Sequence, residues 1–417
     1  VTQEVVLITK TSTSNKGNQA LSAAWLRMLQ EAFPGAAVRT LERRPRHLLQ
    51  YSLKKIAAAS DPWAAFDALA AEIAALAPGP DLAGPPPPPK ITLAEDGERK
   101  ALPMAGLRKK LNLRGLLAGA GKDRTAYLKR LSAFQRADLV VANPAGEIYP
   151  DGAQVTFVHL LDIYVAKKAG ARAGIVNHTL EIRDPTLKRL FPELYRRLDI
   201  VEFRDEKSRE ALREMGGDAQ TPIVAPDLAL TTPPPAPAPR RPQVGVAIHT
   251  TEAAHGGQLG QWGELIGRLR AAGFDLVFIS NDLAIDTPVY RGLAPDLPIE
   301  GQGLEFGPYT EFLSRFDFLV TSRMHTGILA MVAGTPIVAV EPTAFKMTGL
   351  FQEVGIEAPV IRPSEAGWVD RALAQALAMR DNRETAAAEV SGKVAAARRR
   401  IESVLIPALR RAAGSAG

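Results

Sequence analysis

Between Phe316 and Val340 the chain reads FDFLVTSRMHTGILAMVAGTPIVAV. Phe318 to Val320 form a short apolar run, Met324 to Val332 continue as an apolar helix, and Gly334 and Pro336 stop that helix before a second run, Ile337 to Val340. A strand joined to the next strand through one helix lies parallel to it, with a right-handed crossover. The stretch therefore specifies an open parallel sheet, and it places Arg323 and His325 where the first strand gives way to the helix. Small or capping residues ordinarily occupy such a position, and Ser322 is read as the cap. Two large cationic or titratable side chains beside it point to an anion. First-turn N–H groups and the helix dipole favour negative charge, the Arg323 fork matches a carboxylate or phosphate, and His325 can exchange a proton near neutral pH. Lys346, past the second strand, is expected to face the same anion. The plainer alternative is an Arg323–Asp317 pair beside a buried, satisfied histidine.

The same alternation of strand and helix extends in both directions. On the N-terminal side, VVLITK ends in the polar loop TSTSNKGN, a helix runs through QALSAAWLRMLQEAF, and AAVRTL restarts a strand. Residues from about 50 to 135 break the rhythm. They are Ala- and Leu-rich and interrupted by a proline run, which predicts a helical insertion with a mobile loop around 78–103. Alternation resumes at ADLVVANPAGEIYP. It continues with a helix over about 153–169, AGIVNH, a helix from Pro185, DIVEFRD, a helix over 207–215 and TPIVAPD. After Asp227, LALTTPPPAPAPRRP reads as a semi-rigid linker without core-forming residues. Beyond it come QVGVAIH, a helix over 258–272, FDLVFIS, a helix after Asp286, and the unit quoted above.

These patterns predict an α/β protein with two Rossmann-like lobes, each a parallel sheet, facing each other across a cleft in a GT-B-like arrangement. The expected N-terminal lobe spans 1–228, the linker 229–242 and the C-terminal lobe 243–380. A terminal helix within 381–417, about 383–413, is expected to pack back on the N-terminal lobe.

Composition limits the function. A chain of 417 residues suits two domains of roughly 200 residues each. At 46% hydrophobic and 23% charged residues it can bury a sizeable core. The absence of cysteine removes disulfides, thiolate nucleophiles and Cys-ligated zinc, and fits a reducing compartment. VTQEVVLITKTS reads as a strand rather than a leader, and no run of about 18 apolar residues occurs, so a cytoplasmic protein is expected. Six histidines without H-x-x-x-H spacing predict no bound metal. The net charge of +6 favours acidic partners, yet no zinc finger, RNP-type strand or helix-turn-helix pattern supports nucleic acid. Basic residues cluster in Arg39–Lys55 and Leu107–Leu131, interleaved with Leu as on membrane-surface helices; a solvated helix face is the alternative.

Ligands of open parallel sheets bind where loops converge at the carboxyl ends of strands. In this chain those positions hold Asn15, Gly17 and Asn18, then Asn143 to Glu147, Asn177 and His178, Arg204 and Asp205, Asp227, His249, Asn281 and Asp282, Arg323 and His325, and Glu341 to Lys346.

At this level of detail, TSRMHTGILAMVAGTPIVAVEPTAFK resembles the C-terminal signature of the polysaccharide pyruvyl transferase family: S-R-x-H, an apolar helix, G-x-P, an apolar strand, then Lys. VEFRDEKSREAL with VAPDLAL is similar to its R-D-x-x-S and P-D elements, and SNKGNQALSAAWLRML to its N-x-G-D loop and helix. Asn18 stands where the family usually has Asp, and NPAGEIYP replaces a common Gly-Gly turn. The resemblance implies a transferase that moves the pyruvyl group of phosphoenolpyruvate onto a sugar diol of a bacterial surface polysaccharide or its lipid-linked precursor. The products are a pyruvate ketal and phosphate, and phosphoenolpyruvate is the co-substrate with no other cofactor. Arg204, Ser322, Arg323, His325 and Lys346 are then expected at the donor. His325 is expected as acid or phosphate ligand, Asp205 or Glu147 as base, and Asn15, Gly17, Asn18, Asn143 and His178 at the acceptor. A lipid-linked acceptor would bring the protein to the inner face of the cell membrane. Two rivals share the architecture: a glycosyltransferase using a nucleotide sugar, and a binding protein that holds phosphoenolpyruvate without turning it over.

Overall fold

A computed structural model describes residues 2–79, 92–93, 113–218, 222–236, 238–342 and 345–414. The predicted loop at 78–103 and the first residues of the second basic stretch lie almost wholly outside these segments.

Two parallel sheets form the framework. In the N-terminal half, β1 (Glu4–Thr9) is followed by the short β2 (Ser12–Thr13), then α1 (Lys16–Ala32) and β3 (Ala37–Glu42). The inserted helices α2 (Leu53–Ala57) and α3 (Pro62–Ala74) come next. The short β4 (Thr92–Leu93) pairs with β2, and α4 (Leu113–Arg136) follows. Then come β5 (Leu139–Ala142), α5 (Ala153–Lys168), β6 (Arg172–His178), α6 (Pro185–Tyr195), β7 (Ile200–Phe203), α7 (Glu206–Glu214) and β8 (Ile223–Val224). The sheet order is β3-β1-β5-β6-β7-β8, every pair parallel, so connections change direction between β1 and β5.

The C-terminal half begins with β9 (Val244–Ala247), α8 (Thr250–His255), α9 (Leu259–Ala271), β10 (Leu276–Ile279), α10 (Leu283–Leu293) and β11 (Ile299–Glu300). It continues with α11 (Phe306–Leu313), β12 (Phe318–Thr321), α12 (Met324–Val332), β13 (Ile337–Ala339), α13 (Lys346–Val354), α14 (Trp368–Asp381) and α15 (Arg383–Ala412). Its order, β11-β10-β9-β12-β13, is again all parallel and changes direction between β9 and β12. These two changes of direction are where open α/β sheets form ligand crevices.

Local chemistry explains the element ends. Asp61 and Asp184 accept first-turn N–H bonds, and each is followed by a proline, whose missing N–H costs nothing at the first helical position. Helix α5 is buried on nearly all sides because the sheet covers one face and the inserted α3 the other, with Phe66 stacked on Tyr164 at 5.5 Å. The insertion is therefore an outer layer of the N-terminal half.

Three expectations need correction. The residues after Asp227 are not free of core residues: Leu228 to Thr231 form a 3₁₀ turn in which Leu228, Ala229 and Leu230 are fully buried, and the prolines at 233–235 follow without regular structure. The helix read as starting after Asp286 starts at Leu283 and contains Asp286 and Pro288. Helices α8 and α11 were not foreseen; at 6 and 8 residues they are too short to show a periodic apolar face.

One apolar core runs through both halves. It joins Val5, Leu7, Trp25 and Leu29 to Leu228–Leu230, to Ile328, Leu329 and Met331 of α12, and to Ile401, Leu405 and Leu409 of α15. Helix α15 packs on α1, β6 and β7 on one side and on α12 and α13 on the other.

Candidate active site

The β9/β12 crevice holds the Arg-x-His motif. Thr321 closes the strand: its Oγ1 donates to the Ala247 carbonyl at 3.0 Å and accepts the Arg323 N–H at 3.0 Å. Arg323, rather than Ser322, is the N-cap residue of α12, and no side chain caps that helix. The expected role of Ser322 is corrected accordingly: its Oγ accepts the His249 N–H at 2.8 Å and so ties together the ends of β9 and β12. First-turn N–H groups of α12 are thereby left for a ligand.

Arg323 is 9% exposed and turns back against the sheet. Its Nε donates to the Ile248 carbonyl at 2.8 Å and its Nη2 to Asp286. Asp286 is fully buried and also accepts from the Thr250 hydroxyl at 2.9 Å and from the Asn281 and Asp282 N–H groups, each at 3.0 Å. The plainer pairing with Asp317 does not form, since Asp317 binds Arg383 at 2.7 Å. Arg323 thus anchors the crevice with its charge largely balanced, and the fork expected to face an anion is half committed.

His325 sits on the seam between the halves. Gly17 lies against its ring so closely that a Cβ there would be 2.5 Å from His325 Cγ. His325 Nε2 is buried without a hydrogen-bond partner, 3.7 Å from Asp227 Oδ2. Asp227 in turn accepts from Arg204 Nη1 at 3.0 Å and Asn177 Nδ2 at 3.3 Å. Burial would raise the Asp227 carboxyl, but His325 and Arg204 outweigh it and hold the group well below the usual carboxylate range.

Several predicted residues serve structure instead. Arg204 is 3% exposed and committed to Asp227 and to Thr179 Oγ1, at 2.8 Å; its charge does not reach the crevice as expected. Asp205 caps α7 through Ser208 N–H at 2.8 Å, accepts from Thr179 and lies under Gly349 of α13; burial raises its carboxyl, but it is spent as a cap rather than free as a base. His178 is fully buried, bonded to the Tyr195 hydroxyl at 2.6 Å and pushed down to about 3 by burial and by Arg204, so it is a neutral core histidine rather than an acceptor ligand. Glu147 binds Arg43 at 3.1 Å, Arg44 at 2.6 Å and His159 at 2.8 Å. Burial favours its neutral form, yet those partners bring it to about 2, which makes it an ionised anchor rather than a base. Asn143, 1% exposed, closes its own turn by accepting the Ala145 N–H at 3.1 Å.

The loop of Asn15, Gly17 and Asn18 does reach the crevice. Asn15 caps α1 by accepting the Asn18 N–H at 3.0 Å, and Asn18 accepts from Arg43 at 3.1 Å. From the same loop the Lys16 N–H donates to Asn281 Oδ1 at 3.3 Å, and Gln19 Oε1 accepts the Phe306 N–H at 3.0 Å, so the first helix touches the C-terminal half directly. Lys346 begins α13 and lies 3.5 Å from Glu252, beside His249. Burial lowers His249 to about 4, helped by Arg323 and Lys346 and opposed by Glu252. Asp286, Glu252 and Glu181 were not singled out as site residues from the sequence. Asp286 alone left a signal, an acid four residues past the polar end of an apolar strand, and it was read as flanking a helix that in fact encloses it.

Two parallel lobes with a crevice at both changes of direction, and a His seated on their seam, define a two-lobed GT-B-type scaffold. The family model for polysaccharide pyruvyl transferase matches residues 15–343, and the chain belongs to that family. No curated protein matches it. Among solved structures it is similar to UDP-GlcNAc 2-epimerase from Neisseria meningitidis bound to UDP-GlcNAc, at 12% identity and a TM-score of 0.52, covering 97% of this chain and 100% of that one. HepE from Anabaena in complex with UDP and glucose is similar at 13% identity and a TM-score of 0.50, covering 99% and 100%. At such identity the likeness establishes the fold.

Proposed function

We propose that the protein transfers the pyruvyl group of phosphoenolpyruvate to two hydroxyls of a sugar in a bacterial surface polysaccharide or its lipid-linked precursor. The observation that carries this reading is the placement of His325: a ring on the lobe seam against Gly17, one nitrogen unsatisfied, in the first turn of α12. The donor carries a carboxylate and a phosphate. Lys346 and the α12 first-turn N–H groups supply the attraction, and Arg323 holds the crevice in shape. His325 delivers a proton to the methylene carbon or to the departing phosphate. The acceptor enters from the side of the Asn15–Asn18 loop. Phosphoenolpyruvate is the co-substrate, and no further cofactor enters the reaction. The experiment is incubation with phosphoenolpyruvate and a panel of lipid-linked and nucleotide-linked sugars, scoring released phosphate and the pyruvyl adduct by mass. A melting temperature raised by nucleoside diphosphates and not by phosphoenolpyruvate would favour a glycosyltransferase instead.

We place the acceptor at an anionic membrane face. Residues 46–50 and α2 turn Leu48, Leu53 and Ile56 inward and leave Arg46, Leu49, Lys54 and Lys55 exposed. The second basic stretch lies alongside, with Tyr127 of α4 stacked on His47 at 5.0 Å and Arg124 and Lys129 exposed. Arg43 and Arg130 are spent inside, on Glu147 and Asp162, and Arg39 is buried as well. Among the described residues no helix is long and apolar enough to cross a membrane, and the contact proposed through this face is a peripheral one.

A further inference from the structure

The loop from β6 to α6 carries a carboxyl group that its surroundings leave unsatisfied. Thr179 and Leu180 are buried, fixed by Arg204 Nε on the Thr179 hydroxyl at 2.8 Å and by the Leu180 N–H on Ser208 Oγ at 2.8 Å. Ile182 is buried on the other side, and Asp184 then caps α6. The backbone around Glu181 is thus held at both ends, at the carboxyl end of a central strand. Its side chain is half-buried, and Oε2 is withdrawn from water with no hydrogen-bond partner. The charged groups that act on it are Lys346 and Glu252 from the opposite lobe and Arg183 and Asp151 from its own. Lys346 and Glu252 are the pair beside His249 in the crevice, so Glu181 borders the site from the acceptor side. An unsatisfied buried acceptor in a native fold calls for a reason, and a ligand donor is the simplest one.

We infer that Glu181 is the general base that takes the proton from the acceptor hydroxyl attacking C2 of the donor. This rests on the pyruvyl-transfer reading and adds to it the base that Asp205 and Glu147, both committed elsewhere, cannot supply. The attacking oxygen bonds to C2 as its proton passes to Glu181, while C3 gains a proton. The bond from C2 to the phosphate oxygen then breaks, the second hydroxyl oxygen bonds to C2, and its proton is released. The diol loses two protons; C3 keeps one and the phosphate leaves with the other. Burial raises the Glu181 carboxyl from its ordinary value against the pull of Lys346 and Arg183, in the direction such a step needs.

The test compares wild type, Glu181→Gln and Glu181→Asp for phosphoenolpyruvate affinity by calorimetry, phosphate release with a productive acceptor, and the pH profile of kcat. Glu181→Gln is expected to bind phosphoenolpyruvate within about threefold of wild type and to lose on the order of 100-fold in kcat. It should also lose the acidic limb of the profile, with Glu181→Asp intermediate. Wild-type kcat in Glu181→Gln overturns the assignment. So does a kcat loss matched by equal losses in affinity and melting temperature, which marks a structural role. Absence of phosphate release by the wild type with every acceptor refutes pyruvyl transfer itself, an outcome visible before any variant is made.

Discussion

Replacing Gly17 by Ala tests the seam between the lobes. An alanine Cβ would lie 2.5 Å from His325 Cγ and 2.7 Å from its Nδ1, whereas ordinary contacts begin near 3.4 Å. The histidine, or the loop carrying residue 17, must therefore retreat by close to 1 Å. Neither can do so freely: Asn15 and Asn18 pin the loop, and the ring is backed by Asp227. Overpacking of a fixed contact costs about 1–3 kcal/mol. A displacement of that size at a reacting group costs about 100-fold in rate. Turnover of Gly17→Ala should thus fall on the order of 100-fold, while phosphoenolpyruvate affinity falls far less. Gly146→Ala, in another strand-end loop with open space around its Cβ position, is the control and should match wild type. Phosphate release and thermal melting report the two effects. Wild-type turnover in Gly17→Ala would mean that His325 does no work at this seam.

Arg323→Ala strips Asp286 of its buried partner and should destabilise the fold by about 3–5 kcal/mol in denaturant, with donor binding weakened as well; Arg323→Lys should recover only part, since the fork to Ile248 and Asp286 is lost. Glu202 is fully buried, accepts the Asn177 N–H at 2.5 Å, and is raised to about 8, chiefly by burial. A raised folded-state value means that its contribution is complete below about 4.5 and is lost as pH climbs through about 8. Glu202→Gln should therefore show a shallower decline in urea stability between pH 5 and 9 than wild type; equal slopes would refute it. Changing Arg46, Lys54 and Lys55 to Gln should abolish low-salt sedimentation with anionic vesicles, each charge being worth ~1 kcal/mol, and neutral vesicles should pellet neither protein.

The architecture was legible because parallel strands buried on both faces read as unbroken apolar runs, and several of the helices between them announce an end with Asp-Pro or Gly, as α6 does at Asp184 and α12 at Gly334. The junction that sets Arg323 and His325 at the end of β12 was legible for the same reason, since a strand-to-helix junction has few uses for such side chains. What escaped was pairing across distance. Nothing local says that Arg204 will be consumed by Asp227, 23 residues on, or Arg323 by Asp286, 37 residues back. The start of α10 was placed too late: the helix begins at Leu283 and carries Pro288 in its second turn, so Asp286 was left outside it. His178 and Glu147 occupy strand-end positions as functional residues do, and only burial separates them from such residues.

Helix α15 has a consequence for how the chain is made. Trp25, Met28 and Leu29 on α1 belong to the same core as Val394, Ile401, Leu405 and Leu409, yet the ribosome produces the first group before either sheet is complete and the second only after both. Domains of a nascent chain ordinarily close in order of synthesis. Here the first lobe emerges with an apolar flank that its own sequence cannot cover. It keeps apolar surface of α1 uncovered through translation of the whole second lobe, until α15 is made.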